Sequence, residues 1–337
     1  MKRKEIVIVT PALASANNGN WQTAWRWARF LSADYRVHIT DAWGAERPGA
    51  DAALMIALHA RRSAASVSAW HAAHAQRPAV LVLTGTDLYR DIDTDADAQR
   101  SLALAQRLVV LNEAGPARLP PALRDRVTVC LQSATPRRAR PKTPRHLRAL
   151  MVGHLRDEKQ PQTYFDAARA LAHRTDILFD HIGGGLDPAL AAQARALAAQ
   201  QPRYRWLGAL PHGATRSRIA AAHVLVHPSR MEGGAHVVIE AVVSGTPVLA
   251  SRIDGNVGLL GHGYDGYFEP GDATGLVTLL QRMRDDPSML AHLREQCDRR
   301  APLFDPARER RTVLSLAAEL LPPHPQEIPD ERPRKTP

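Results

Sequence analysis

Cysteine is almost missing from this chain: two residues, Cys130 and Cys297, in 337. They stand far apart and make no CxxC or other ligand spacing, which excludes a disulfide framework and a zinc site. Cys130 lies in the apolar run VTVCL, where a buried structural thiol is expected, and Cys297 in a charged helical stretch. Long apolar runs are missing too, and none approaches the roughly 20 residues that span a bilayer. The start, MKRKEIVIVT, carries basic residues but then reads as a short strand rather than as the apolar segment of a signal peptide. A cytoplasmic location is expected. Acidic residues are outnumbered, 34 against 44 basic, for a formal charge of +10. Clustered basic residues neutralise phosphates, so this balance invites a nucleic-acid partner. The arginines, however, are scattered, apart from RARPKTPRHLR (138–148), and no pattern of a DNA- or RNA-binding module appears. A non-catalytic basic nucleic-acid-binding protein is a remote reading, and no nucleic acid is expected.

Hydrophobic residues make up 45% of the sequence, enough to bury the cores of two domains at this length. Strand-like runs alternate with helix-like ones. EIVIVT (5–10) is followed by a helix near 20–31, RVHIT (36–40), AALMIAL (52–58), an alanine-rich helix, AVLVLT (79–84), LVVL (108–111) and RVTVCL (126–131). A proline- and arginine-rich stretch interrupts the pattern, which then restarts with LRALMVG, DILFDHIGGG, RYRWLG, HVLVHPS and TPVLAS, each but the last followed by a helical segment or loop. Strands alternating with helices predict parallel sheets covered on both faces. The expected organisation is a domain over 1–132, a linker over 133–147 and a second domain over 148–304. A helix at about 305–321 can pack back on the first domain, and a disordered tail over 323–337 follows. Two doubly wound domains face each other across a cleft, and ligands bind at the carboxyl ends of their strands.

MEGGAHVVIE (231–240) sits at such an end. Glu232 falls on the loop after HVLVHPS, and Glu240 inside the helical run that Gly233-Gly234 introduces. Free backbone N–H groups at that helix start suit a diphosphate, and small residues let it come close. The bland alternative is a turn followed by an exposed carboxylate, but Glu240 is embedded in apolar VVIEAVV, a costly place for an unpaired charge.

The stretch HVLVHPSRMEGGAHVVIEAVVSGTPVLASRIDGNVGLL…GYFEPGD resembles the donor half of the retaining GT-B glycosyltransferases of the family 4 type, with their E-x7-E signature. The resemblance implies a GT-B fold, sugar contact for Glu232 and ribose contact for Glu240. Where that family usually has E-G-F-G, this chain has Glu232-Gly233-Gly234-Ala235. VGHLRDEKQ (152–160) is similar to the family's G-R-L-x-x-x-K-G, which places Lys159 on the lysine that neutralises the diphosphate, beside Gly153. The family's arginine is His154 here, leaving Arg156 or Arg230 as a second cation. HIGGG (181–185) matches the family's glycine turn near the base and brings in Gly183 and Gly184. No cofactor and no metal are implied. The D-x-D spacings of DIDTDAD (91–97) are read as a solvated loop or helix start.

In the first half, ASANNGNWQTAWRWARFL, ALHARRSA and LTGTDLYRDI, with GNVGLLG, resemble a narrower family, the selenosugar synthases of selenoneine biosynthesis. That implies transfer of a sugar from UDP-GlcNAc or UDP-glucose to selenophosphate, forming a C–Se bond. A family 4 enzyme with a hydroxyl acceptor, saccharide or lipid, is the alternative. Gly19 and Asn20, at the start of the first helix, could receive an anion; Asn17 or Asn20 could equally be its cap. His59 and Arg61 follow the third strand, and Thr84, Thr86 and Asp87 follow the fourth. Asp87 also reads as a helix cap. In WQTAWRWARFL, Trp21, Trp25 and Ala28 recur at helical spacing and are expected to be the core face of the first helix, rather than a membrane-lying face.

Overall fold

The computed structural model of the chain describes residues 3–13, 19–138 and 140–321. Asn17, Asn18 and the tail from 323 lie outside them. Among the described residues, twelve strands form two six-stranded sheets in which every pair is parallel. The first contains β1 (Glu5–Val9), β2 (Arg36–Thr40), β3 (Leu54–Leu58), β4 (Ala79–Leu83), β5 (Arg107–Val110) and β6 (Val127–Val129), in the order β2-β1-β3-β4-β5-β6. The second contains β7 (Leu147–Val152), β8 (Ile177–Ile182), β9 (Tyr204–Trp206), β10 (Val224–His227), β11 (Val248–Ser251) and β12 (Tyr267–Phe268), in the order β12-β11-β10-β7-β8-β9. The central strands are continuous apolar runs because helices cover both faces: all five residues of β3 and of β4 are buried.

Strand order reverses between β1 and β3 in the first sheet and between β7 and β10 in the second. At such a switch point neighbouring loops leave in opposite directions and open a crevice. In the second sheet the crevice lies between the loop after β7, which carries Gly153 to Lys159, and the loop after β10, which carries Ser229 to Ala235.

Helix α1 (Gly19–Leu31) follows β1, and α2 (Ala64–Ala73) and α3 (Ala96–Leu104) complete the first layer of helices. The buried face of α1 is Thr23, Ala24, Trp27 and Leu31, not the expected Trp21, Trp25 and Ala28. Trp25 is 44% exposed and carries the Arg29 guanidinium 4.8 Å above its ring. The three tryptophans of WQTAWRW cannot share one face. Trp27 takes the core because its indole N–H finds a buried acceptor.

Around the second sheet lie α4 (Pro161–Ala170), α5 (Pro188–Gln200), α6 (His212–Ala221), α7 (His236–Val242), α8 (Asp254–Leu260), α9 (Ala273–Asp285) and α10 (Pro287–Arg300). Asp187, Asp272 and Asp286 cap α5, α9 and α10 with their carboxylates. Cys130 and Cys297 are both buried thiols. Helix α11 (Pro306–Leu320) crosses back, and its Val313, Leu316 and Ala317 join the core of Ile6, Ile8, Trp27 and Leu54 on one face of the first sheet. No helix among the described residues is long and apolar enough to cross a membrane.

Candidate active site

The crevice between β7 and β10 is stitched by charge. β10 ends on His227, and Pro228 leads on to Glu232, whose Oε1 accepts a short hydrogen bond from Lys159 Nζ and lies 3.3 Å from His227 Nε2. The pair is largely sheltered, with side chains 14% and 12% exposed. Burial pushes the Glu232 carboxyl up, but Lys159 and His227 outweigh it and hold it well below the usual carboxylate range. Glu232 is therefore an anion, and the sheltered His227 is kept neutral by burial. A second stitch joins Arg230 to Asp157, and the Arg230 amide donates to the Glu158 carbonyl at 3.0 Å.

Behind Lys159 the backbone is close-packed. Its aliphatic stem lies over Gly153, and a Cβ on Gly183 would overlap the Gly153 carbonyl. That carbonyl also accepts from His181 Nε2 at 3.1 Å. His154 Nδ1 accepts from the Gly184 amide at 3.0 Å. Burial first, then Arg156 and Lys159, lower the His154 pKa, so the imidazole is neutral and adds no second cation. Arg156 itself is exposed and joins none of these ion pairs among the described residues.

Gly233 and Gly234 are where the halves meet. A Cβ on Gly233 would run into the Thr84 carbonyl and the Gly85 amide of the β4 loop, and one on Gly234 would stand 2.9 Å from Leu111 Cβ. The Gly233 carbonyl accepts from Asn112 Nδ2 at 2.7 Å. Ala235 is buried and its carbonyl receives the Val238 amide at 2.8 Å, opening α7. The amides around this start have no carbonyl one turn back to donate to.

Glu240, one turn into α7, is 4% exposed. Its Oε1 meets His212 Nε2 at 2.5 Å, His236 Nδ1 at 3.4 Å and Arg216 Nε at 3.6 Å. Burial opposes ionisation here too, but His212 and His236 outweigh it and lower the pKa to about 2. Glu240, His212, Arg216 and His236 line one cavity of about 350 Å³, whose far wall is Gln22, Trp25, Arg26 and Arg29 of α1. The two glutamates are thus both ionised, but Glu240 faces this cavity while Glu232 stays in the crevice.

On the opposite side, the loops after β3 and β4 are knitted by Asp87. Its carboxylate accepts from the Thr84, Gly85 and Ala60 amides at 2.9, 2.7 and 2.9 Å and is fully buried. Asp87 therefore builds the loop; turned inward, it offers no ligand contact. His59, at φ 73°, places Nε2 3.0 Å from Thr86 Oγ1, and burial keeps it neutral. A non-glycine residue in this region is strained, and such strain gathers at functional loops. Arg61 is 41% exposed and pairs with Asp91 at 3.2 Å. Asp91 is itself buried and Asp95 caps α3, so DIDTDAD is only partly solvated. Gly19 and Asn20 open α1, where Thr23 Oγ1 donates back to the Gly19 carbonyl at 2.8 Å. Among the described residues no group of three or more His, Cys, Asp or Glu side chains is placed to hold a metal.

Residues 134–302, half of the chain, match the family described as Glycosyl transferases group 1. The chain belongs to that family. This group 1 glycosyl transferase has the GT-B architecture, and solved structures share it across nearly its whole length. Sucrose-phosphate synthase (tll1590) from Thermosynechococcus elongatus is 18% identical, with 95% of this chain and 99% of that one covered at a TM-score of 0.75. Anabaena Alr3699/HepE, in complex with UDP-glucose, is 16% identical over 94% and 99%, with a TM-score of 0.74. S. aureus TarM, in a complex that contains UDP, is 13% identical with a TM-score of 0.64; 80% of this chain matches, spanning 55% of TarM. No curated protein matches the sequence.

Several residues of this group 1 glycosyl transferase site carry no signature of their own: His227 ends β10, Asn112 follows β5, and His212 and Arg216 lie on α6. His236 had a legible signal, its i, i+4 spacing to Glu240.

Proposed function

We propose that the chain transfers a sugar from UDP-GlcNAc or UDP-glucose to selenophosphate, giving a selenosugar for selenoneine biosynthesis. The observation that carries the donor half is the pairing of two ionised glutamates, each held through Oε1 alone, on either side of the α7 start. No described residue donates to Oε2 of either. Those oxygens are open to hydroxyls, Glu232 to the sugar and Glu240 to the ribose. The diphosphate between them lies on the amides of Gly233 to His236, near Lys159, with Arg230 and Arg156 at the rim. Lys159 has donors to spare beyond the one given to Glu232.

The selenophosphate acceptor is supported by the likeness of 14–31, 57–64 and 83–92 to selenosugar synthases. Gly19, Asn20, His59, Arg61, Thr84 and Thr86 are the proposed acceptor contacts. In the reaction the C1–O bond to the β-phosphate breaks, its electron pair leaves on that phosphate, and a selenium lone pair forms the C1–Se bond. Selenium arrives anionic, so no strong base is needed, which fits a cleft where burial keeps His59, His154 and His227 neutral. Lys159 and the α7 amides stabilise the charge growing on UDP. Hydrolysis of the Se–P bond by water then gives the selenol and phosphate.

Mass spectrometry of products formed from UDP-GlcNAc and UDP-glucose, with selenophosphate or with hydroxyl acceptors, tests this. A selenosugar from selenophosphate is expected. Glycosides from hydroxyl acceptors alone would refute the acceptor, and no UDP release from any mixture would refute the donor.

A further inference from the structure

Glu240 is gripped on one oxygen, and one of the groups gripping it is tied to the other domain. His236 reaches Oε1 with Nδ1, at 3.4 Å. From behind, its Nε2 lies 3.0 Å from the Ser133 carbonyl and 3.4 Å from Arg26 Nη1. Ser133, where the chain crosses between the domains, donates its amide and hydroxyl to Glu309 of α11 at 2.8 and 2.5 Å. Glu309 also takes the Trp27 indole N–H at 2.8 Å and the Arg26 guanidinium at 2.8 Å, both from α1. Hydrogen bonds thus run from the first domain to the His236 ring, and a 3.4 Å ion-pair contact carries the linkage on to the cavity carboxylate of the second.

The Ser133 carbonyl can only accept, so a proton on Nε2 serves it, and a second proton on Nδ1 serves Glu240. With one proton, on Nδ1, Arg26 donates to Nε2 instead. Either state sets an N–H against Oε1, whereas a bare Nδ1 would oppose its lone pair to a carboxylate. Among the described residues, the charged and titratable groups around this ring are Glu240 and Arg26, with His212 and Arg216 beyond the former and Glu309 beyond the latter.

Resting on the reading of Glu240 as the ribose carboxylate, we infer that His236 is a positioning residue for the donor nucleotide. It fixes Oε1 of Glu240 from the interdomain crossover and so aims Oε2 at a vicinal diol in the cavity. Ribose recognition is thereby set partly by α1 and α11, elements of the other domain.

Calorimetric Kd values for UDP and 2′-deoxy-UDP on the full chain test the inference. The unmodified protein is expected to prefer UDP about tenfold, the scale of one hydrogen bond to a charged group. His236→Gln keeps a donor for the Ser133 carbonyl but sets none against Oε1. Its preference is expected to fall below about twofold with an unchanged melting temperature. His236→Asn, with a donor near the Nδ1 position, is expected to keep most of the preference. A full preference in His236→Gln, or its equal loss in His236→Asn, overturns the positioning role. Failure of the ribose reading looks different: Glu240→Gln would keep the whole preference, or the unmodified protein would show none.

Discussion

Lys159 and Glu232 approach from two loops 73 positions apart and neutralise each other where the proposed function puts a dianionic leaving group. An ammonium sheltered against a carboxylate is pre-positioned, so little reorganisation is left when the phosphate arrives. Lys159→Ala is expected to lower kcat by about 100-fold to 1000-fold, the range seen when one donor to a developing anion is removed. Steady-state release of UDP from UDP-sugar with acceptor measures it, and unchanged turnover would refute the role. At this scale the sequence was legible wherever a residue was unusual for its surroundings. Lys159 is the one lysine between Lys142 and Lys335, and Glu240 stands in VVIEAVV. Asp87 was misjudged because a carboxylate facing a ligand and one collecting its own loop's amides look alike in a linear pattern. Asn112 was silent, since nothing local marks which distant loop a side chain will meet, and His227 has no spacing to Glu232 that would single it out.

Elements decide how precisely those residues are held. The loop joining β10 to α7 touches the loop after β4 without room for a methyl group at Gly233. Gly233→Ala has to push the Thr84 carbonyl away and so separates the β10–α7 loop from the loop after β4. Displacements of about 1 Å can cost about 100-fold in rate. The expected result is a fall in kcat/KM of that order, with the fold intact by circular dichroism; a fully active variant would show that the contact is dispensable. The turn after β7 depends in the same way on β8. His181 donates to the Gly153 carbonyl and accepts from the Tyr204 hydroxyl at 3.0 Å, which requires the neutral ring. Burial lowers its pKa to about 4. The unfolded chain takes up this proton near pH 6.5 and the native one does not until about 4, so stability falls as pH drops through that window, by roughly 3 kcal/mol from this one group. Burial depresses His154, His223 and His227 too, with the same sign. Thermal melts between pH 7 and 4 should show the slope, and His181→Gln, which cannot titrate, should flatten it; an unchanged slope would clear His181. Strand positions were legible because buried parallel strands are plain apolar runs. The two-residue β12 was not, because a strand that short carries no period.

At the scale of the molecule, the described residues cross twice between the domains, and both crossings pass Glu309. Its carboxylate is fully buried and receives Arg26, Trp27 and Ser133, joining α1, the first crossing and α11 at one point. The sequence suggested that the last helix could return to the first domain but gave no sign of this acid, since an ionised residue in PARERRTV reads as surface charge. Removing one partner from a buried, hydrogen-bonded pair strands the other, at about 3–5 kcal/mol. Glu309→Ala should therefore lower the stability of the first domain by that amount. Further along the same helix, Glu319 pairs with Arg107 at a half-exposed position, Nε to Oε1 3.0 Å. Water already solvates that pair, so Glu319→Ala should cost under about 1 kcal/mol. Urea unfolding followed by both tryptophan fluorescence and far-ultraviolet dichroism compares the two, because domains that melt separately give transitions that do not coincide. If Glu309→Ala cost no more than Glu319→Ala, the crossing would be held by the apolar face of α11 alone, and Ser133 would no longer have a fixed carbonyl against which His236 could be set.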